Sequence, residues 1–143
     1  MITVKYPIAL VTAFLWIGFV CAISFLEAWL KFRAPGITVP LGLGIGRLVF
    51  SALNKVEWVL ATAMAISLVS GNDLFRWQNL LYLIPLIVLA VQTWWALPVL
   101  DARAEMYIQG QHVAPSNIHF WYVGLEFVKV CCLGIFGVLL FKA

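Results

Sequence analysis

Ionisable side chains lie inside long apolar runs of this sequence, where a charge needs a partner. His119, Tyr122, Glu126 and Lys129 are spaced i, i+3, i+7 and i+10. At roughly 100° per residue they fall on one helical stripe about 80° wide. An imidazole, a phenol, a carboxylate and an amine on one stripe can bind a polar ligand, an ion or a proton. A charge at the centre of a membrane span costs about 2.5–3.5 kcal/mol, so each of these groups requires an explanation.

Two further apolar runs carry polar groups of the same kind. Arg47, Asn54 and Trp58 share one face of the second run, and Glu57 lies about 80° to one side of that face. Glu27 stands near the end of the first run. Because lipid offers these groups no partner, we expect them to turn toward the inside of a helical bundle.

The composition places these stripes in a membrane protein. Hydrophobic residues make up 64% and charged residues 10% of the 143 residues, against about 45–50% and 25% in soluble domains. This excludes a soluble globular enzyme and a disordered chain. The net charge of +3 comes from scattered basic residues, so no nucleic-acid-binding surface is indicated. The apolar runs are continuous rather than alternating, which excludes a β-barrel.

Four runs are long enough to span a bilayer, since a spanning helix needs about 20 apolar residues. We therefore predict an all-α integral membrane protein with one domain, 1–143, folded as an antiparallel four-helix transmembrane bundle. Pro40 and Pro115 indicate helix starts, residues 70–73 a turn, and Gly110 a helix end. The first run is too long for a signal-peptide core, so we expect it to be retained. The predicted spans are 7–30, 41–70, 79–100 (with a possible extension to Gln109) and 117–141.

Alternating chain direction brings the end of one span level with the start of the next. On this topology the ionisable groups all fall in the half of the bundle beside the first and third loops, and the other half is apolar. Four spans also place both termini on one side. Basic residues are nearly balanced between the two sides, and Lys5 before the first span favours cytoplasmic termini.

Two interpretations of the polar half remain open. In one, the stripes line a pocket that binds or passes a small ligand, ion or proton, which we favour because intramembrane charges indicate function. In the other, the charges neutralise each other as a structural element of the bundle. We expect Asp101, Arg103 and Glu105 to be solvated at a helix end. Candidate ion pairs for the structural interpretation are Glu27–Lys31, Glu126–Lys129, Arg47–Glu126 and Lys129–Glu57.

A metal site is the most specific alternative for these residues. Glu57, His119 and Glu126 could supply ligands, but the Glu-x-x-His motif of di-iron bundles is absent from the sequence. His112 and His119 are the two histidines, which makes paired haem ligation a remote option. No cofactor is indicated. Soft-metal binding by the three cysteines is also possible, although packing is the simpler role for Cys21, Cys131 and Cys132.

Small residues on two helices suggest close packing. Gly42 and Gly46 form a Gly-x-x-x-Gly motif, and Gly134 and Gly137 offer a similar flat surface. These surfaces can pack within one chain or join a homo-oligomer. We expect oligomerisation if the protein is a transporter, because a 16.0 kDa bundle is thin for one.

Several short segments resemble a family of small four-span membrane proteins of bacteria and animals whose function is unknown. The residues that carry the resemblance are 32–35 (FRAP), 54–58 (NKVEW), 95–98 (WALP) with 101–103 (DAR), and the pair His119-Phe120. The resemblance implies a four-helix bundle over most of the chain and implies no activity.

The sequence leaves three classes of function open. The first is a membrane protein that binds or transports a small ligand, ion or proton through its pocket. The second is an accessory or assembly subunit of a larger membrane complex. The third is a membrane enzyme on a lipid-like substrate, with Glu57, Glu126 or His119 as acid or base. No nucleophile motif is present, so we lean away from an enzyme.

Overall fold

The computed structural model describes residues 3–71 and 76–142, and the described chain is almost entirely helical. In these described ranges, four helices are long and apolar enough to cross a membrane, which agrees with the predicted number of spans. The predicted turn at 70–73 lies partly outside the described residues. The elements are β1 (Thr3–Val4), α1 (Pro7–Arg33), α2 (Val39–Ser70), a short α3 (Trp77–Leu80), α4 (Leu83–Ile108), α5 (Ile118–Leu139) and β2 (Phe141–Lys142).

Prolines and glycines fix where these helices begin and end. Pro7 opens α1, where its missing N–H costs nothing. Thr38 caps α2, and its hydroxyl accepts a hydrogen bond from the Leu41 N–H at 3.4 Å. Gly36 and Gly110 adopt left-handed φ angles of 81° and 71° in the turns after α1 and α4, a conformation that favours glycine. Helix α4 starts later than predicted and continues to Ile108.

Two of the long helices contain a wider π-helical segment. Residues Cys21–Glu27 form one in α1, and Gln92–Ala96 form one in α4. The second segment ends just before Pro98. A proline lacks the N–H that an α-helix uses, and its ring clashes with the preceding turn. A wider turn ahead of Pro98 gives room for the ring and does not need the missing hydrogen bond. Segments of this kind often lie at functional sites.

Helix α1 packs against α2 and α5, and α4 packs against α5 and α2. The packed interior between them is apolar and aromatic around Trp16, Met64, Leu133 and Phe136, each 0% exposed. The segment before α1 and the residue after α5 also meet, because the Lys5 N–H donates to the Leu140 carbonyl at 3.1 Å. Inside the bundle, the Tyr82 hydroxyl just before α4 donates to the Ala61 carbonyl of α2 at 2.6 Å.

The outer surface is rich in large apolar side chains. Leu48 is 76% exposed, Phe120 is 75% exposed and Trp94 is 72% exposed. A soluble monomer rarely exposes such a continuous apolar surface. Together with the four apolar helices, this surface fits a multi-pass membrane protein.

Candidate functional site

A buried ionic network joins α2 and α5 in the middle of the bundle. Lys129 pairs with Glu57, and its Nζ lies 3.1 Å from Oε2 of Glu126. The three side chains are at most 1% exposed. The Trp16 indole N–H of α1 also donates to Glu57 Oε1 at 2.7 Å. Two ion pairs suggested by the sequence, Lys129–Glu57 and Glu126–Lys129, are therefore formed.

The third long helix completes this network through an amide. Gln92 is 0% exposed, and its Nε2 donates to Oε1 of Glu126 at 3.0 Å. Gln92 sits at the start of the π-helical segment of α4. All four long helices thus contribute one group or more to the network, which ties them together in the apolar core.

A cavity of about 590 Å³ lies beside this network. Proteins bind drug-sized ligands in cavities of about 300–1,000 Å³, so its size suits a small organic molecule. Apolar side chains such as Phe32, Leu43, Phe50 and Leu97 form much of the wall. The polar side chains on the wall are Lys31, Arg47, Ser51, Asn54, Lys55, Thr93, Asp101, His119 and Tyr122.

Ion pairs neutralise most of the charge on this wall. Lys31 pairs with Glu27 at 3.2 Å, as the sequence suggested. Arg47 pairs with Asp101 through two nitrogens, at 2.5 and 3.0 Å, and also with Glu105. A wall of paired charges favours a ligand with polar groups and little net charge over a strongly charged one.

The predicted pair Arg47–Glu126 is wrong. Glu126 shares Lys129 with Glu57, and Arg47 precedes Glu57 by ten residues on one helix, which is about 15 Å along its axis. The expectation that Asp101 and Glu105 are only solvated at a helix end also needs correction. Their side chains are 53% and 43% exposed, yet both bind Arg47, because α4 extends past its apolar run beside α2.

The structure places most of the predicted site residues in one of two groups, the network or the cavity wall. Glu57, Glu126 and Lys129 belong to the network, and Tyr122 lines the cavity while also lying near both carboxylates. Glu27 meets the cavity only through its partner Lys31. Trp58 is turned toward Thr93 and is absent from the cavity wall. The predicted residues that line the cavity are Arg47, Asn54, His119 and Tyr122.

Gln92 and Thr93 are site residues that were not predicted. Both are uncharged polar residues in the middle of an apolar run, and attention to charge alone passes over them. Thr93 Oγ1 accepts hydrogen bonds from Asn54 Nδ2 and Trp58 Nε1, both at 2.9 Å. Its own hydroxyl donates to the Leu89 carbonyl at 2.7 Å. A search for any polar side chain inside a predicted span would have found both residues.

Replacing Thr93 by valine tests this hydrogen-bonded link between α2 and α4. Thr93→Val keeps the side-chain shape but leaves Asn54 and Trp58 without their acceptor, so we expect a loss of about 1–2 kcal/mol in the free energy of unfolding. Denaturant unfolding in detergent micelles measures it. Thr62→Val is the matched control, because the Thr62 hydroxyl donates only to its own helix. Equal losses in the two variants would contradict the role of Thr93.

The described residues do not form a cluster of metal ligands. Among the described residues, no group of three or more His, Cys, Asp and Glu side chains could hold an ion. His119 lies on the cavity wall, and the two glutamates Glu57 and Glu126 lie in the network around Lys129. The described cysteines are free thiols.

The Gly-x-x-x-Gly motif of Gly42 and Gly46 packs against side chains of the same chain. A Cβ atom on Gly42 would lie 2.2 Å from the Phe32 ring, and one on Gly46 would lie 3.0 Å from Lys31 Nζ. Gly137 meets Phe14 of α1 at 3.5 Å. These glycines let side chains of the same chain approach closely, and homo-oligomerisation stays a prediction.

No protein-family model matches this chain, and neither a curated protein nor a solved structure shows significant similarity to it.

Proposed function

We propose that this protein binds a small, partly apolar molecule in the cavity between α1, α2, α4 and α5. The observation that carries the proposal is the cavity of about 590 Å³ with a mixed polar and apolar wall. Apolar rings can hold the body of such a molecule, while Asn54, His119 and Tyr122 offer hydrogen bonds. Lys55 and His119 make no ion pair among the described residues, which leaves room for a weakly acidic group.

We infer an antiparallel bundle with both termini on one side of the membrane. Contacts between consecutive helix ends support it. Lys31 at the end of α1 lies against Gly46 near the start of α2, and Gly71 after α2 lies against Tyr6 before α1. Cytoplasmic termini remain a prediction from the position of Lys5. A subunit of a larger membrane complex and an enzyme on a lipid-like substrate remain the alternative functions.

Binding is favoured over passage through a single chain. The cavity lies on the side of the first and third loops, where Lys31, Arg47 and Asp101 reach it. Beyond the ionic network, the packed core continues with side chains such as Met64, Leu68 and Phe136, all 0% exposed. The described residues in this core contribute no charged group that would continue a polar path. The cavity is therefore a blind pocket within one chain.

Filling the cavity tests the proposal. Ser51 lines the cavity and is exposed on α2, so Ser51→Phe narrows the pocket without straining the packed core. Ala52→Phe is the matched control, because Ala52 is the exposed neighbour outside the cavity wall. We expect native mass spectrometry in mild detergent to find a bound small molecule on the wild type and on Ala52→Phe. Occupancy in Ser51→Phe should fall at least about tenfold, a change of about 1.4 kcal/mol in binding.

Two results would contradict a ligand in this cavity. One is a wild-type chain that carries no small molecule when it is purified from its membrane in mild detergent. The other is equal occupancy in Ser51→Phe and Ala52→Phe, which would place the bound molecule elsewhere on the protein.

A further inference from the structure

The buried network has one more carboxylate than it has cationic groups. Glu57, Glu126 and Lys129 are at most 1% exposed. With both carboxylates ionised, the three side chains would carry a net charge of −1. An uncompensated charge in an apolar interior costs several kcal/mol, so buried groups bind a counter-charge or become neutral. The network therefore needs one more positive charge.

The surrounding groups do not supply that charge. The neighbours that α1 and α4 place on the network are an indole and an amide, both neutral. Among the described residues, Lys129 is the one cation that pairs with either carboxylate. The groups facing the network are Trp16 of α1, Glu57 of α2, Gln92 of α4, and Tyr122, Glu126 and Lys129 of α5.

The hydrogen bonds indicate where a proton would reside. Glu57 Oε1 accepts from both the Lys129 ammonium and the Trp16 indole, so its negative charge is well stabilised. Glu126 Oε1 accepts from the neutral amide of Gln92. Its Oε2 has the ion-pair contact with Lys129 at 3.1 Å but no hydrogen bond. Glu126 also interacts with the Tyr122 hydroxyl, but the closer contact with the Lys129 ammonium belongs to Glu57, so Glu126 is the less stabilised of the two anions.

The unsatisfied atoms of the network point to the same carboxyl group. Within the described part of the chain, Glu126 Oε2 and Gln92 Oε1 are both buried and neither accepts a hydrogen bond. Rotating the Gln92 amide to exchange its O and N atoms would not supply the missing donor, because the number of N–H groups stays the same. A proton on Glu126 Oε2 adds a donor to this pair of residues. A carboxylic acid and a primary amide can then form two hydrogen bonds, N–H to carbonyl and O–H to amide oxygen.

We propose that the network binds one proton, held by the carboxyl group of Glu126 against Gln92, and that Tyr122 connects this site with the cavity. Tyr122 lines the cavity, and its hydroxyl interacts with the Glu126 carboxyl one turn along α5. Water in the cavity is the source of the proton. The proton site depends on the charge balance of the network, and it does not require the ligand proposed for the cavity.

Infrared spectroscopy of the full chain in lipid bilayers tests the charge balance. At neutral pH we expect the carbonyl band of one protonated carboxylic acid. Glu126→Gln and Glu57→Gln should each abolish the band, because the remaining carboxylate is then balanced by Lys129. Lys129→Met should increase its intensity about twofold, since both carboxylates must then be neutral. Glu27→Gln is the control and should leave the band unchanged, because Glu27 is partly exposed and pairs with Lys31.

Gln92→Leu tests where the proton resides. It removes the hydrogen-bond partner of Glu126 and should shift the band in frequency without removing it. An unshifted band would overturn the assignment to Glu126. The path from the cavity is tested by hydrogen–deuterium exchange in the wild type and in Tyr122→Phe. Transfer to D₂O should lower the band frequency, and Tyr122→Phe should slow that change. Equal rates in the two proteins would overturn the role of Tyr122.

Two outcomes would overturn the proton itself. Absence of the band in wild type, in both sodium and choline chloride, would show that the network tolerates a net negative charge. Absence of the band in sodium chloride and its appearance in choline chloride would show that a sodium ion supplies the missing charge.

Discussion

Removing both buried carboxylates, as in Glu57→Gln/Glu126→Gln, should destabilise the protein by about 2–3 kcal/mol more than the sum of the two single replacements. Either single replacement leaves one carboxylate beside Lys129, and each should cost about 1–3 kcal/mol through hydrogen bonds lost at the replaced group. The double replacement leaves the Lys129 ammonium, which is 0% exposed, without a counter-charge. A stranded buried charge is among the most destabilising changes in a folded protein.

Denaturant unfolding of the purified protein in one detergent gives the three free energies. Adding Lys129→Met to the double variant should restore most of the lost stability, because the core then holds no charge. Glu27→Gln/Glu105→Gln is the control pair. These side chains are 30% and 43% exposed, so their loss should cost no more than about 1 kcal/mol per ion pair. If the losses in unfolding free energy of the Glu57 and Glu126 replacements simply add, the buried Lys129 ammonium does not need these carboxylates as its counter-charge.

Trp16→Ala should have the second large effect, a loss of about 3–5 kcal/mol in the free energy of unfolding. Trp16 is 0% exposed at the centre of the core cluster, so truncation leaves a cavity. It also removes the indole N–H that donates to Glu57 at 2.7 Å. Trp16→Phe refills most of the volume without the donor, and we expect it to recover roughly half of that loss.

Trp94→Ala provides the comparison for Trp16, because the Trp94 side chain is 72% exposed. Because it is exposed, this side chain should contribute less than about 1 kcal/mol. Thermal unfolding of the three variants in the same detergent ranks them. A Trp16→Ala variant as stable as Trp94→Ala would place Trp16 outside the core.

The number of spanning helices could be predicted because it depends on the length of apolar runs alone. An extension of α4 past Leu100 toward Gln109 was also indicated, and the helix ends at Ile108, but the sequence did not show what holds this extension. What holds that extension in place is Arg47, which comes from a different helix and binds Asp101 and Glu105. Helix ends fixed by contacts between distant residues carry little local signal.

The sequence predicted many residues of the candidate site but little of its geometry. Helical spacing placed Glu126 and Lys129 on one stripe, and in the structure the Lys129 ammonium pairs with both Glu126 and Glu57. Helical spacing could not separate residues of the network from residues of the cavity wall, because that distinction depends on depth in the bundle and on the neighbouring helices. The π-helical segments at Cys21–Glu27 and Gln92–Ala96 also alter the rotation of α1 and α4, so a constant angle per residue fails across them.

The one-sided arrangement of polar groups has an electrical consequence. In an energised membrane, most of the voltage falls across the part with the lowest dielectric constant, which here is the apolar core beyond Glu57 and Lys129. Moving one elementary charge through the whole field requires about 2.3 kcal/mol per 100 mV. A charged species entering the cavity from the side of the first and third loops would cross only a fraction of that field. Occupancy of the pocket would then respond weakly to the membrane potential, and the sealed half would act as an insulator that prevents the protein from dissipating it.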